Sequence, residues 1–358
     1  MSLGAPDLPL MDKLIAAREV GFLGVEMYME DLVEFAKWRV SEKRAISAAE
    51  TTANADDAPA LRGAARHVRS MCDKLSLKVV SLQPFRNFDG LTDPALRAQS
   101  LQLFELWLEI AEILGADLIG VPATLPTADN LRSAYTDDPQ AAANDLKLLA
   151  AMAKPYGIQV AYENLCFSAH VQDWEQAWER IQLACADGKT DNLVFLQDTF
   201  NFCGKRYIDT DRPSGVRVNG DENLQHSLER LLEELDMTKM PLFQIADAEC
   251  MGETLTKDHP WRRDSGHGAL MALSRNGRLF PLEEGAYLPV SNIAKAMAEK
   301  GWSGWVSMEI FARNTAKDGR TTIFRHADRA WASWERLATE LGWQVKSGRM
   351  QGVRSNGR

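Results

Sequence analysis

No CxxC pair, no apolar run long enough to cross a bilayer and no excess of basic side chains occur in this chain of 358 residues. The five cysteines (Cys72, Cys166, Cys185, Cys203 and Cys250) are scattered and odd in number. That argues against a disulfide framework and for reduced thiols in a cytoplasmic setting. Lys and Arg total 41 against 50 Asp and Glu, a formal net charge of −9. Such a surface repels phosphate, so no nucleic-acid partner is expected. The start, MSLGAPDLPLMDKL, has no basic segment leading into an apolar one, so no secretory leader and no membrane partner are expected. No Gly-rich phosphate loop follows the first strand-like run, which argues against an open dinucleotide-binding sheet. No internal repeat or linker divides the chain, and one domain is expected over residues 1–343, with a polar tail over 344–358.

What is present is a rhythm. Hydrophobic residues make up 45% of the chain, enough for a large core. Seven short apolar runs lie at 22–28, 77–83, 116–123, 157–164, 192–198, 240–247 and 304–311. Each is too short for a globular helix, and most follow a Gly or Pro break. Amphipathic stretches separate them. Thr92-Asp93-Pro94 offers a cap and a first-turn proline, Leu101, Phe104, Leu108 and Ala111 share a face, and Gly115 supplies a stop. The last stretch, near 321–341, carries Ala327, Ala330, Trp331, Trp334 and Leu337 as its inner stripe. Alternating strands and helices imply a parallel sheet with right-handed crossovers, and eight such units close into a (β/α)8 TIM barrel. The first strand is expected to be short or incomplete, with MSLG as its end. Long connections at 200–221 and 247–288 are expected on the catalytic face.

Four of the runs end in an oxygen-bearing side chain: Glu163, Asp198, Gln244 and Glu309. Strand C-termini of a barrel converge on one mouth, so these oxygens can surround one ion. A lone acid at a strand end is usually solvated or a helix cap. Four on four strands, after apolar runs, are harder to explain without a cation, because buried carboxylates carry a large desolvation cost. Three carboxylates and an amide are hard ligands that suit Mg²⁺ or Mn²⁺ and allow Co²⁺. Arg86, just past a strand, is either a surface cation or a two-bond clamp on a substrate carboxylate. His170 is either a capping or packing residue or an acid/base group. Ser274 and Arg278 reach the mouth if the long loop folds over it. Glu26 either orients a ligand or binds Arg86. The remaining histidines follow no usable pattern.

The stretches QPFRNFDG, YENLCFSAHVQDWEQAW, LQDTFNF, FQIADAE, HPW, SRNGRLFPLEEGAYLPV and GWVSMEIF resemble the 3-dehydroshikimate dehydratases of the xylose isomerase-like, sugar phosphate isomerase/epimerase superfamily. The likeness runs over residues 1 to 341. It implies a metal-dependent lyase that forms an enolate from a cyclic hydroxy-ketone acid and expels water. It implies Glu163, Asp198, Gln244 and Glu309 as ligands, and Arg86, Ser274 and Arg278 on a small carboxylate substrate. It implies a histidine for proton transfer three residues past the Asp ligand, where this chain has Asn201. An amide cannot exchange a proton near neutral pH. The alternatives are therefore His170 or a metal-bound hydroxide as base, an altered substrate with isomerase or epimerase chemistry, a dehydratase or cyclase of secondary metabolism, or an inactive binding paralogue. A homo-oligomer is compatible with any of them.

Overall fold

The computed structural model describes residues 2–43, 58–125 and 133–345. Most of the expected tail, from residue 346 on, lies outside the described residues. All seven apolar runs are strands: β1 (Gly24–Tyr28), β2 (Lys78–Gln83), β3 (Leu118–Pro122), β4 (Gln159–Glu163), β5 (Leu193–Asp198), β6 (Leu242–Gln244) and, after a small hairpin of β7 (Asp247–Ala248) with β8 (Arg278–Leu279), β9 (Trp305–Ser307). The barrel strands are all parallel, in the order β1-β2-β3-β4-β5-β6-β9, and β7 pairs with β8 antiparallel. Helices α1 (Leu10–Val20), α2 (Met29–Lys43), α3 (Ala58–Leu75), α4 (Pro94–Leu114), α5 (Pro139–Ala153) and α6 (Trp174–Cys185) occupy the first half. The second half holds α7 (Thr199–Arg206), α8 (Gly220–Glu234), α9 (Pro260–Arg263), α10 (Ala269–Asn276), α11 (Val290–Glu299) and α12 (Arg320–Glu340). The result is a seven-stranded, nearly closed barrel of the (β/α)8 type. Among the described residues, no helix is long and apolar enough to cross a membrane.

Local signals explain the element ends. Asp93 caps α4 by accepting from the amides of Ala95 and Leu96, Pro94 takes the first helical position, and Gly115 ends the helix in a left-handed conformation. The expected stripe of α4 is buried at Phe104, Leu108 and Ala111, with Trp107 and Ile110 widening it. In α12 the inner face also takes in Ile323 and His326, whose Nδ1 lies 2.9 Å from the Ser2 carbonyl oxygen.

Register separates two faces along each strand. Ala161 opposes Val194, Glu163 opposes Leu196, Asp198 opposes Gln244, and Gln244 opposes Ser307. Paired residues share a face, and so do residues two apart. One face therefore looks into the lumen. Its lower layer is a small apolar cluster of Val80, Leu118, Ala161, Val194, Leu196 and Leu242, with Val80 at the register shift where β1 pairs with β2. Its upper layer is polar: Glu26, Ser81, Gln83, Glu163, Asp198, Gln244 and Ser307. The other face, with Ile119, Val121, Tyr162, Phe195 and Phe243, packs under the helices in the main core. Gly120 leaves room for this arrangement, since a Cβ there would stand 3.0 Å from the Cβ of Gln83.

The first strand of a complete barrel is missing among the described residues. Ser2–Gly4 form a turn, and no ladder joins β9 to β1. Ser2 Oγ donates to the Met308 carbonyl (2.7 Å) and accepts from the Ile310 amide (2.9 Å), so the chain start touches the top of β9 without pairing along it. Between β1, β9, α1 and α12 lies a cavity of about 490 Å³ that reaches inward to Glu26 and Glu309.

Candidate metal centre

The upper lumen gathers most of the residues that the sequence singled out. Glu163 ends β4 and Asp198 ends β5, while Glu309 follows β9 by two residues and so returns to the inward side. One oxygen from each of these three carboxylates can be chosen so that all lie within 4.8 Å of one another. Burial and the neighbouring Glu309 and Asp198 charges hold the Glu163 carboxyl well above the usual carboxylate range. Burial likewise raises Asp198, against the pull of Arg278. Glu309 is pushed up to about 7 by burial, again opposed by Arg278. Three acids so close together repel, and each is easier to ionise beside a cation.

Part of that positive charge is already supplied. Arg278, at the start of β8, is 1% exposed, and its Nη1 donates to Asp198 Oδ2 (2.8 Å), the Glu309 carbonyl (3.0 Å) and Glu309 Oε2 (3.4 Å). Its Nε donates to Ser274 Oγ at 3.2 Å, and its guanidinium sits 4.7 Å from the centre of the Phe200 ring. One positive charge against three carboxylates leaves a deficit.

The amide ligand candidate is oriented by a residue from across the open seam, on β1. The Glu26 carboxylate accepts from Ser81 Oγ (2.8 Å), Gln83 Nε2 (3.0 Å), Ser307 Oγ and Gln244 Nε2 (3.1 Å). Burial raises its pKa, and the hydrogen bonds from Ser307, Ser81 and Gln244 work against the rise. A carboxylate accepts, so it claims the NH₂ end of Gln244 and turns the amide oxygen away. That oxygen is buried and has no hydrogen-bond partner among the described residues. Buried acceptors are rarely left so, and the free lone pairs here suit a hard cation. The donor set thus fits a divalent ion: three carboxylates short of positive charge and one orphaned amide oxygen.

Asn201 is built into the same cluster. Asp198 caps α7 by accepting from the Asn201 amide at 2.7 Å. The Asn201 side chain donates from Nδ2 to Glu163 Oε1 (2.8 Å) and accepts from the Cys166 amide (3.2 Å). It holds a carboxylate in place and offers no proton acceptor. His170 stands apart, half-exposed in the connection between β4 and α6, with no hydrogen bond to the cluster. Arg86 also stands apart at the rim, ion-paired with Glu30 and donating to Tyr28 Oη at 2.7 Å. Of the two readings of Glu26, the one in which it binds Arg86 is not what the described residues form.

Two roles were not readable in advance. The hold of Glu26 on Gln244 spans 218 residues of sequence, and only the curling of the sheet into a barrel brings the pair together. Arg275, one turn before Arg278, stacks on Phe311 at 4.4 Å beside the cluster. Its signal in the sequence was the spacing of two arginines in SRNGR.

Comparison with known proteins agrees with this architecture. A family model described as xylose isomerase-like TIM barrel matches residues 14–332. The chain is similar to a 3-dehydroshikimate dehydratase of Neurospora crassa, with 36% identity over 93% of this chain and 89% of that protein. It is also similar to a 3-dehydroshikimate dehydratase of Pseudomonas aeruginosa, with 25% identity over 84% of this chain but only 36% of the longer bacterial protein. Among solved structures, the IOLI protein with a binding zinc atom superposes with a TM-score of 0.62 at 16% identity, covering 95% of this chain and 96% of that one. That last likeness is one of fold.

Proposed function

The chain belongs to the xylose isomerase-like TIM barrel family, and from this premise we propose that it is a divalent-metal-dependent dehydratase acting on 3-dehydroshikimate or a close cyclic hydroxy-ketone acid. The observation that carries the reading is the trio Glu163, Asp198 and Glu309 facing the orphaned oxygen of Gln244, in a chain with 36% identity to a 3-dehydroshikimate dehydratase along nearly its whole length. These four residues would hold Mg²⁺ or Mn²⁺, with Co²⁺ as a further candidate. A cation bound there acts as a Lewis acid that polarises the substrate's ketone and so acidifies the adjacent C–H.

The protein's own groups do the rest. Glu26 fixes which end of Gln244 faces the site, and Asn201 fixes Glu163. Arg278, anchored by Ser274, keeps Asp198 and Glu309 in place and confines the cation's share of the charge. The proton leaving carbon needs an acceptor of suitable pKa. Asn201 is not one, and we assign that task to His170, carried by a connection that is pinned where the Ala169 amide donates to the Thr124 carbonyl at 3.0 Å. The β-hydroxyl then leaves as a single molecule of water, and enolisation of the remaining ring ketone yields the aromatic catechol acid.

The test is direct. Protein loaded with Mn²⁺, Mg²⁺ or Co²⁺ is incubated with 3-dehydroshikimate, and catechol-acid absorbance is followed. The expected result is metal-dependent formation of the product, abolished by His170→Asn. Asn201→His is expected to restore turnover to the His170→Asn variant by about 10-fold or more, the lower part of what a positioned acid/base group contributes. Epimerised or isomerised substrate without loss of water would sink the dehydratase reading and favour the isomerase one. No reaction of any kind, with intact metal binding, would favour a binding paralogue.

A further inference from the structure

Three arginines surround the outer edge of the cluster, and they differ in what they hold. Arg278 is fully engaged by Asp198, Glu309 and Ser274. Arg86 is ion-paired with Glu30, bonded to Tyr28 Oη and set 5.6 Å from the centre of the Tyr28 ring. Arg275 has its guanidinium 4.4 Å from the Phe311 ring centre, and among the described residues it makes no hydrogen bond and no ion pair. The rings link the three. Tyr28 meets Phe311 edge-on at 6.5 Å, and Arg278 lies 5.5 Å from that same Phe311 ring. Arg275 therefore stands on the rim of the metal centre, one aromatic ring away from the cation-holding acids.

Stacking on Phe311 accounts for the position of Arg275 and for a modest stabilisation. It does not use the edge of the guanidinium, where its N–H donors lie. Burial lowers the pKa of this group, Arg278 and Arg86 add repulsion, and only Tyr28 and Glu309 act the other way. An anion arriving at that edge would meet a planar fork already seated over a ring, so little freedom is lost in forming two parallel bonds.

We propose that Arg275 is the residue that receives the substrate's carboxylate, in a two-bond fork, while Arg86 remains tied to Glu30 and Tyr28 and shapes the rim. This rests on the reading above that the substrate is a keto acid. It moves the carboxylate contact away from Arg86, whose hydrogen-bonding edge is taken. A neutral sugar would leave the free donors of Arg275 without a charged acceptor.

The experiment uses Mn²⁺-loaded full-length protein and a matched pair of probes, 3,4-dihydroxybenzoate and catechol, which differ by the carboxylate alone. Calorimetric titration of the wild type should give at least about 10-fold tighter binding of the acid, the effect of a charged hydrogen bond of roughly 1.5 kcal/mol. Arg275→Gln should lose about 10- to 100-fold in affinity for the acid and leave catechol and Mn²⁺ affinities within about twofold. Arg275→Lys should fall between, since it keeps the charge and loses the fork. With 3-dehydroshikimate, Arg275→Gln should raise KM more than it lowers kcat. Unchanged acid affinity in Arg275→Gln, with normal Mn²⁺ binding, overturns the proposal and leaves the dehydratase reading standing. A wild type with no preference for the acid overturns it as well. A wild type that ignores 3-dehydroshikimate but loses acid affinity on Arg275→Gln keeps the carboxylate site and sinks the dehydratase reading.

Discussion

The floor and the rim of the lumen are made by the same strands, two residues apart, and they answer to different demands. Leu196 and Val194 belong to the apolar floor and contribute by being buried, although Leu196 lies beside Glu163 in the ladder. Glu163 and Asp198, one step up β4 and β5, face each other and are costly to bury in charged form. Floor residues are selected by volume, whereas rim residues hold positions that a stability criterion alone would reject. One strand thus carries a stabilising half and a strained functional half, and exchange of side chains should separate them.

The largest effect is expected at Glu163→Gln. A neutral amide relieves the repulsion from Glu309 and Asp198 and can still accept from Asn201. Mn²⁺ affinity should fall more than about 100-fold, beyond the cost of losing an outer partner of a ligand, and turnover should fall by roughly a thousandfold. The melting temperature of the chelator-treated protein should stay level or rise. A clear fall would mean that the rim is not strained. Next comes Leu196→Ala, the mirror case on the floor. Loss of a buried leucine costs about 2–5 kcal/mol, read by denaturant unfolding, while Mn²⁺ affinity per folded molecule should change little. A proportionate loss of affinity would mean that the two layers are coupled. The smallest effect is on pH dependence. Glu309 rises from an ordinary 4.5 to about 7 through burial, so the folded protein binds that proton more tightly than the unfolded chain does. Stability without metal should therefore decline as pH rises from about 4.5 through about 7. Saturating Mn²⁺ should flatten or reverse the slope, because a cation favours the ionised carboxylates. Calorimetric scans between those pH values with chelator and with Mn²⁺ would check it, and identical slopes would count against a cation at this place.

The four candidate ligands were legible because each ends an apolar run, and strand ends in a parallel barrel point to one mouth. The helices were legible where caps and stops were explicit, as at Asp93 and Gly115. What could not be read were the contacts between separate elements. The tie from Glu26 to Gln244 joins β1 to β6, which are not neighbours in the sheet, and the tie from Asn201 to Glu163 joins α7 to β4, and nothing in the linear spacing encodes either. Asn201 shows the difference: in the chain it reads as a missing imidazole, and in the fold it is a bracket for Glu163. The segment 247–288 was also opaque. Its hairpin of β7 with β8 and its short α10 lack a long hydrophobic period, yet together they deliver Ser274, Arg275 and Arg278 to the centre.

A closed ring has no place to begin fraying, but a ring with one break has two. Among the described residues, β1 and β9 are the ends of the ladder, each paired on one side only. Hydrogen exchange should therefore run as a gradient around the barrel. Amides of β1 and β9 would be released by local opening at the seam, and those of β3, β4 and β5 only when the whole molecule unfolds. The gradient crosses the metal centre unevenly, since Glu309 and Glu26 lie beside the loose end and Glu163 and Asp198 beside the tight one. The centre is thus suspended between a fixed jaw and a yielding one, and an ion that grips both would act as a clasp for the barrel itself.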